Sequence, residues 1–339
     1  MNMVIKIATL PILMIALFYS QLIDLQELKL ILSDLNKIII PIGLMTCVLA
    51  LTVMRWWLIC KTKMIPPNPI VLARIVCISN VAALLLPGGA FTGDLVKAAA
   101  IYFTEAQRKM AIFSAIIFDR GVSLATLFVT VLPFYLVVLN SENVNFETAT
   151  HLLAIVFVAV ISIGILFTKI PSVIAKKRHN WLIILQAIIK SILNEKQSAR
   201  LLTRMYQACK IALHGKQDLI DYFRNAHLIL VNALISLAAF LVHAIALLLL
   251  FEATEISSSE SILIIFAAMA SWCVGALIMT PGGIIGGELA FVFLLTITDV
   301  GPDLLRQATN LFFAHRILFL IASIIPLPFL MFWNGRYKN

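Results

Sequence analysis

Two short runs of sequence carry most of the polar chemistry in this chain. One reads Pro87-Gly88-Gly89-Ala90-Phe91-Thr92-Gly93-Asp94 and the other Pro281-Gly282-Gly283-Ile284-Ile285-Gly286-Gly287-Glu288, so both spell P-G-G-x-x-x-G-[DE]. At similar distances downstream come Asp119-Arg120 after the first and His315-Arg316 after the second. Both arginines stand in long apolar sequence, where an unpaired charge costs about 2.5–3.5 kcal/mol even on the lower insertion scales. They must therefore meet carboxylates, water or an anionic ligand, and Asp94, Asp119 and Glu288 are the counter-charges at hand. Arginine's planar fork suits phosphate. Arg120 and Arg316 are thus candidate binders of a phosphate group, with Asp94, Asp119, Glu288 and His315 as candidate gating or proton-exchanging groups. The opposing reading is that the charges are ion pairs that only tie elements together.

The motif residues also dictate local structure. Proline removes a backbone donor and glycine tolerates unusual dihedrals, so each P-G-G predicts a helix break. Half-helices that begin just after the breaks, near Gly93 and Gly287, would aim free N–H groups and a positive dipole end at an anion. That adds Gly88, Gly89, Gly93, Gly282 and Gly283 to the candidate substrate site. Non-helical backbone at membrane depth survives only where protein or a water-filled cavity satisfies it, so the breaks should line a cavity.

The elements that hold these residues follow from composition. Of 339 residues, 61% are hydrophobic and 13% charged, which excludes a soluble cytoplasmic enzyme. Mean hydropathy is +1.01. Apolar runs such as 231–251 and 307–333 are each long enough, at about 1.5 Å per residue, to cross roughly 30 Å of hydrocarbon. No small-residue cleavage site follows Tyr19, so the first apolar stretch reads as a retained helix. Cys47, Cys60, Cys77, Cys209 and Cys273 form no C-x-x-C pair. No disulfide, metal site or cofactor is implied.

The distribution of the +9 net charge sets the topology. Between Lys169 and Arg224 there are eleven basic residues against three acids, which marks a cytoplasmic segment. The flanking connectors carry Glu142 and Glu147, then Glu252, Glu255 and Glu260, with no Lys or Arg, and face outward. Six full spans are expected: the first helix from near Lys6, then 38–60, 109–139, 151–168, 227–251 and 307–333, with both termini cytoplasmic. Residues 21–35 predict a short amphipathic helix or a packed connector.

Two stretches do not fit as ordinary spans. Residues 69–104 have basic residues at both ends, so this hairpin should enter and leave from the cytoplasm. Residues 261–298 have acids at both ends and should enter and leave from outside. The expected fold is all-α and integral to the membrane: six spans plus two oppositely oriented re-entrant helical hairpins in an inverted repeat, 38–139 and 227–333. Residues 151–168 link them, followed by the basic cytoplasmic segment 169–226. The whole of 1–339 forms one membrane domain.

Weaker signals are set beside their ordinary readings. Arg74 reaches a headgroup or snorkels to the cytoplasmic surface. His243 relays protons or packs. Arg55 with Trp56 and Trp57 reads as an interfacial anchor, as do Trp333 and Tyr337. Leu182, Leu185, Ile189 and Ile192 recur at helical spacing in the basic segment, which suggests helices lying on anionic inner-leaflet lipid. No folded basic module for nucleic acid is present. Homo-oligomerisation is left open.

These motifs resemble the integral-membrane family typified by the membrane region of lysylphosphatidylglycerol synthetases, in a stand-alone form without the soluble synthetase domain. The resemblance spans nearly the whole chain and rests on Leu85-Leu86-Pro87-Gly88-Gly89 with Gly93-Asp94, Asp119-Arg120, Pro281-Gly282-Gly283 with Glu288, and Arg316. One departure is that Ile285 stands where the family usually has the second glycine of P-G-G-x-G, with Gly286 following. The resemblance implies a lipid flippase or scramblase, not an enzyme, in a bacterial inner membrane. Its expected substrate is an anionic lipid: a phospholipid, an aminoacylated phospholipid or a polyprenyl-phosphate-linked sugar. Two competitors remain, an integral-membrane enzyme acting on lipid-linked sugar or phosphate and a secondary transporter of a small anion.

Overall fold

The computed structural model describes residues 24–63, 68–85, 89–104, 109–139, 218–251, 258–277, 284–298 and 300–333. The expected first helix, the span 151–168, most of the basic segment, the outward connectors and Pro87, Gly88, Pro281, Gly282 and Gly283 lie outside the described residues.

Every described element is helical. In order they are α1 (Leu25–Ser33), α2 (Leu35–Thr62), α3 (Pro69–Leu85), α4 (Gly89–Thr104), α5 (Lys109–Leu139), α6 (Ala226–Phe251), α7 (Ser258–Leu277), α8 (Ile284–Ile297), α9 (Pro302–Ile324) and α10 (Leu327–Trp333). Helix α3 ends at Leu85 and α4 begins at Gly89, on either side of Pro87-Gly88, and Gly301 precedes α9, whereas Asp34 alone separates α1 from α2. The last expected span is divided: the chain turns at Ile325-Pro326 between α9 and α10. Proline cannot donate into the preceding helical turn, so the ladder stops there. Among the described residues, four helical stretches are long and apolar enough to cross a membrane: Leu35–Thr62, Ala111–Phe134, Ala226–Phe251 and Pro302–Leu330.

Helix α6 shows the pattern of burial expected in lipid. Its exposed face carries Leu230, Leu234, Leu241 and Ile245, whereas Asn232, Ser236 and several alanines face inward. Lipid tails are as apolar as leucine, so spans associate through close packing and buried polar contacts rather than by removing leucine from water. Asn232 and Ser236 donate to the carbonyls of Leu228 and Asn232, both at 2.8 Å, which lets polar side chains sit inside without stranded donors.

The two halves, α2 to α5 and α6 to α9, pack in the same pattern. In each, the third helix lies against the second, as α4 on α3 and α8 on α7, and against the fourth, as α4 on α5 and α8 on α9. The halves also interlock: α3 packs on α9 of the other half and α7 packs on α5. At the centre α2 packs on α6. These two helices run antiparallel, because Ile38 shares a buried cluster with Leu250 and Phe251 while Trp56 and Ile59 share another with Leu228.

The amphipathic segment is both a helix and a packed connector. Asp24 caps α1 by accepting from Gln26 N–H at 2.8 Å, and Leu28 packs with Phe313 and Ala314 of α9. Glu27 accepts from Asn310 Nδ2 at 2.6 Å. At the opposite end of α2, Lys63 Nζ lies 2.9 Å from both Asp218 and Asp221, just ahead of α6.

Candidate functional site

The motif side chains form two buried centres. Consecutive residues on a helix point about 100° apart, so the pairs Asp119-Arg120 and His315-Arg316 each address two different neighbours. In both halves the arginine turns to the carboxylate near the start of the third helix, α4 or α8. The residue before it turns to the first helix of its own half.

In the first centre, Arg120 grips Asp94 with two contacts, Nε to Oδ2 at 2.5 Å and Nη2 to Oδ1 at 2.9 Å. Lys97, one turn after Asp94 and on the same face, approaches Oδ1 at 3.4 Å. Its ammonium also lies 4.9 Å from the Trp56 ring centroid, a cation–π contact. Asp119 faces α2 instead, with Arg55 Nε at 2.7 Å from Oδ1 and the Trp56 indole donating to Oδ2 at 3.1 Å. Arg55 also donates to Ser236 Oγ on α6 at 2.8 Å. Two carboxylates therefore meet three cations and an indole.

In the second centre, Arg316 Nε lies 2.7 Å from Glu288 Oε1, and the guanidinium sits over Phe312 at 5.3 Å. Glu288 is 1% exposed and His315 2% exposed. His315 Nε2 meets His243 Nδ1 on α6 at 3.4 Å, and its ring stacks on Trp272 at 5.7 Å. Despite the ion pair, among the described residues neither Glu288 oxygen takes a well-aligned hydrogen bond, and His315 Nδ1 has none.

The two motif glycines serve close approach. A Cβ on Gly93 would stand 2.7 Å from the Ser79 carbonyl oxygen and 2.9 Å from Ala83 Cβ, so its absence lets α4 lie against α3. A Cβ on Gly287 would collide with Arg316 Nη2, so its absence makes room for the guanidinium. Contrary to the expected starts near Gly93 and Gly287, α4 begins at Gly89 and α8 at Ile284. The first turns of α4 and α8, whose N–H groups have no intrahelical acceptor, therefore lie three to four residues earlier in the chain than these glycines.

Sequence reading named Asp94, Asp119 and Glu288 together as counter-charges for Arg120 and Arg316 without assigning partners; in the structure Asp94 meets Arg120, Glu288 meets Arg316, and Asp119 meets Arg55. The interfacial-anchor reading of Arg55 and Trp56 is corrected: Trp56 is fully buried and both side chains bind Asp119. Lys97 was missed, although a lysine three residues after an aspartate on an apolar helix is a readable i, i+3 signal. His243 packs against His315, Trp272 and Phe319. Arg74 sits half-buried early in α3. Among the described residues, no group of three His, Cys, Asp or Glu is placed to hold a metal ion.

Helices of this length and hydropathy, enclosing charged side chains, define a multi-pass membrane protein. The chain matches the family described as the lysylphosphatidylglycerol synthase TM region over residues 3–324, and it belongs to that family. No curated protein and no solved structure matches it significantly.

Proposed function

We propose that this protein is a lipid flippase or scramblase that moves an anionic lipid between the leaflets of a bacterial inner membrane. In this reading α3–α4 and α7–α8 are re-entrant hairpins, entering from the cytoplasm and from outside respectively. With the four described spans and two further ones they complete an inverted repeat with both termini cytoplasmic. The antiparallel α2 and α6 and the matched packing of the halves support that arrangement.

The observation that carries the function is the pair of arginine–carboxylate centres stacked along one helix. The first touches α6 at Ser236 and the second at His243. These positions lie two turns apart on one face, about 10 Å along the axis. A phosphate group competing with Asp94 for Arg120, then with Glu288 for Arg316, has two successive partners across the membrane interior. The lipid tails remain in hydrocarbon while the headgroup passes. Arg120 and Arg316 bind, Asp94 and Glu288 close the empty sites, and Asp119 with Arg55 fixes α5 against α2.

The test is translocation of fluorescent phosphatidylglycerol in sealed vesicles containing the purified chain, read by quenching of the outer leaflet. Arg120→Ala and Arg316→Ala should each abolish translocation while the protein still elutes as a folded species. Undiminished translocation in either variant overturns the assignment.

A further inference from the structure

The two centres share a plan but differ in what holds their carboxylates. Asp94 is clasped by Arg120 through two contacts and by Lys97, and Asp119 by Arg55 and Trp56. Glu288 has one arginine, at 2.7 Å, and no well-aligned hydrogen bond to either oxygen. The position that corresponds to Asp119 is His315, and the one that corresponds to Arg55 is His243. One ion pair and two imidazoles therefore replace a network of five charges.

We propose that the second centre is a proton-binding site, formed by Glu288 and the His243–His315 pair, and that its loading controls the availability of Arg316 for an anion. This deepens the flippase reading and rests on it for the identity of the anion. The step balances simply: one proton from water adds to a Glu288 carboxylate oxygen, the ion pair with Arg316 becomes a contact with a neutral acid, and the guanidinium turns toward a phosphate oxygen. Loss of the proton restores the pair and expels the anion.

The histidines supply the route. Facing ring nitrogens at 3.4 Å share one proton, which leaves His315 Nδ1 as the open end of the pair. A buried polar atom without a partner costs free energy until a proton or ligand satisfies it. The surrounding helices supply few other charges. Helix α7 presents Trp272 and the Ser271 carbonyl, both uncharged. Arg55 of α2 is committed to Asp119 and Ser236, Glu27 of α1 to Asn310 one and a half turns earlier on α9, and Arg74 lies at the early end of α3. Among the described residues, Arg316 is the cation that pairs with Glu288 and acts on both imidazoles.

Two readouts test this without reference to transport. Infrared difference spectra across about pH 5 to pH 8, the range in which histidine titrates, should show a buried carboxylic-acid band that disappears in Glu288→Gln. Protein fluorescence should be quenched as the imidazole stacked on Trp272 gains charge, and the titrating part should vanish in Trp272→Phe and in His315→Gln. A third readout is the pH profile of lipid translocation, which should flatten in Glu288→Gln and His243→Gln. An infrared band that survives Glu288→Gln, a fluorescence titration that survives Trp272→Phe, or an unchanged translocation profile overturns the proposal. Both spectroscopic transitions in a wild-type protein that moves no lipid would keep the proton site and remove the flippase reading. Should a histidine variant fail to fold, the wild-type band and the Trp272→Phe comparison still decide.

Discussion

The first and second halves of this protein solve the same structural problem with different chemistry. Each places a partly buried arginine on its last helix, a buried carboxylate about one turn into its third helix, and a contact between the last and first helices. In the first half that contact is Arg55 with Asp119, an ion pair reinforced by an indole. In the second it is His243 with His315, a contact that carries no fixed charge. Identical placement with different ionisation teaches that position was set by packing and charge was chosen separately. One centre is crowded with fixed charges and the other is built around two imidazoles.

The sharpest way to break that comparison is to remove each carboxylate in turn. Asp94→Ala removes the carboxylate that Arg120 and Lys97 share and should cost about 3 kcal/mol, the low end for breaking a buried pair because Arg120 is partly exposed. Glu288→Gln strands only Arg316, keeps a polar group against it and should cost clearly less. Thermal unfolding in detergent measures both, and equal losses would show that the centres are energetically alike.

Next in size are the glycines. Gly93→Ala drives a methyl into the Ser79 carbonyl and Ala83, neither of which can swing aside, and should cost about 1–3 kcal/mol as an overpacked contact. Gly287→Ala meets the end of a flexible arginine, which can move. Its stability cost should stay under about 1 kcal/mol, while translocation falls because Arg316 is pushed off its position. A Gly287→Ala variant with full translocation would dissociate that glycine from the site.

The smallest effect lies outside both centres and serves as a reference. Burial works against the Lys63 ammonium, but its hydrogen bonds and charge contacts with Asp218 and Asp221 prevail and raise its pKa. The sign follows directly. The stabilisation is complete below the unfolded-chain value of about 10.4 and is lost as pH rises through the higher folded value. Because this pair is partly exposed, it is worth under about 1 kcal/mol. Unfolding measured between neutral and strongly alkaline pH should show this loss in the wild type and its absence in Lys63→Met, with the infrared band of Glu288 unaffected.

Much of the helical framework was legible in the sequence. Helix α5 covers Lys109–Leu139, and α3 and α4 are two helices within 69–104, separated where Pro87-Gly88 predicts a break. Proline and glycine act within a turn of themselves, so breaks can be read locally. The partners of Asp119 could not be read that way. Arg55-Trp56-Trp57 near a helix end matches a general interfacial pattern, and only the rotation of α2 about its axis turns the first two inward. The division of the last expected span was also missed, because its hydropathy continues across Pro326 while its hydrogen bonds do not.

Sequence by itself determined that the chain lives in a membrane, that helices end beside its two P-G-G runs, and that its arginines in apolar sequence need carboxylates, water or an anion. Those properties follow from composition, local backbone chemistry and the high cost of a lone charge in hydrocarbon. Only the tertiary structure decided that Arg55, Lys97 and Trp56 complete one centre while His243 completes the other. The reason is geometric: a helical side chain's neighbours depend on the rotation and register of helices far away in the chain, and the antiparallel packing of α2 on α6 sets both.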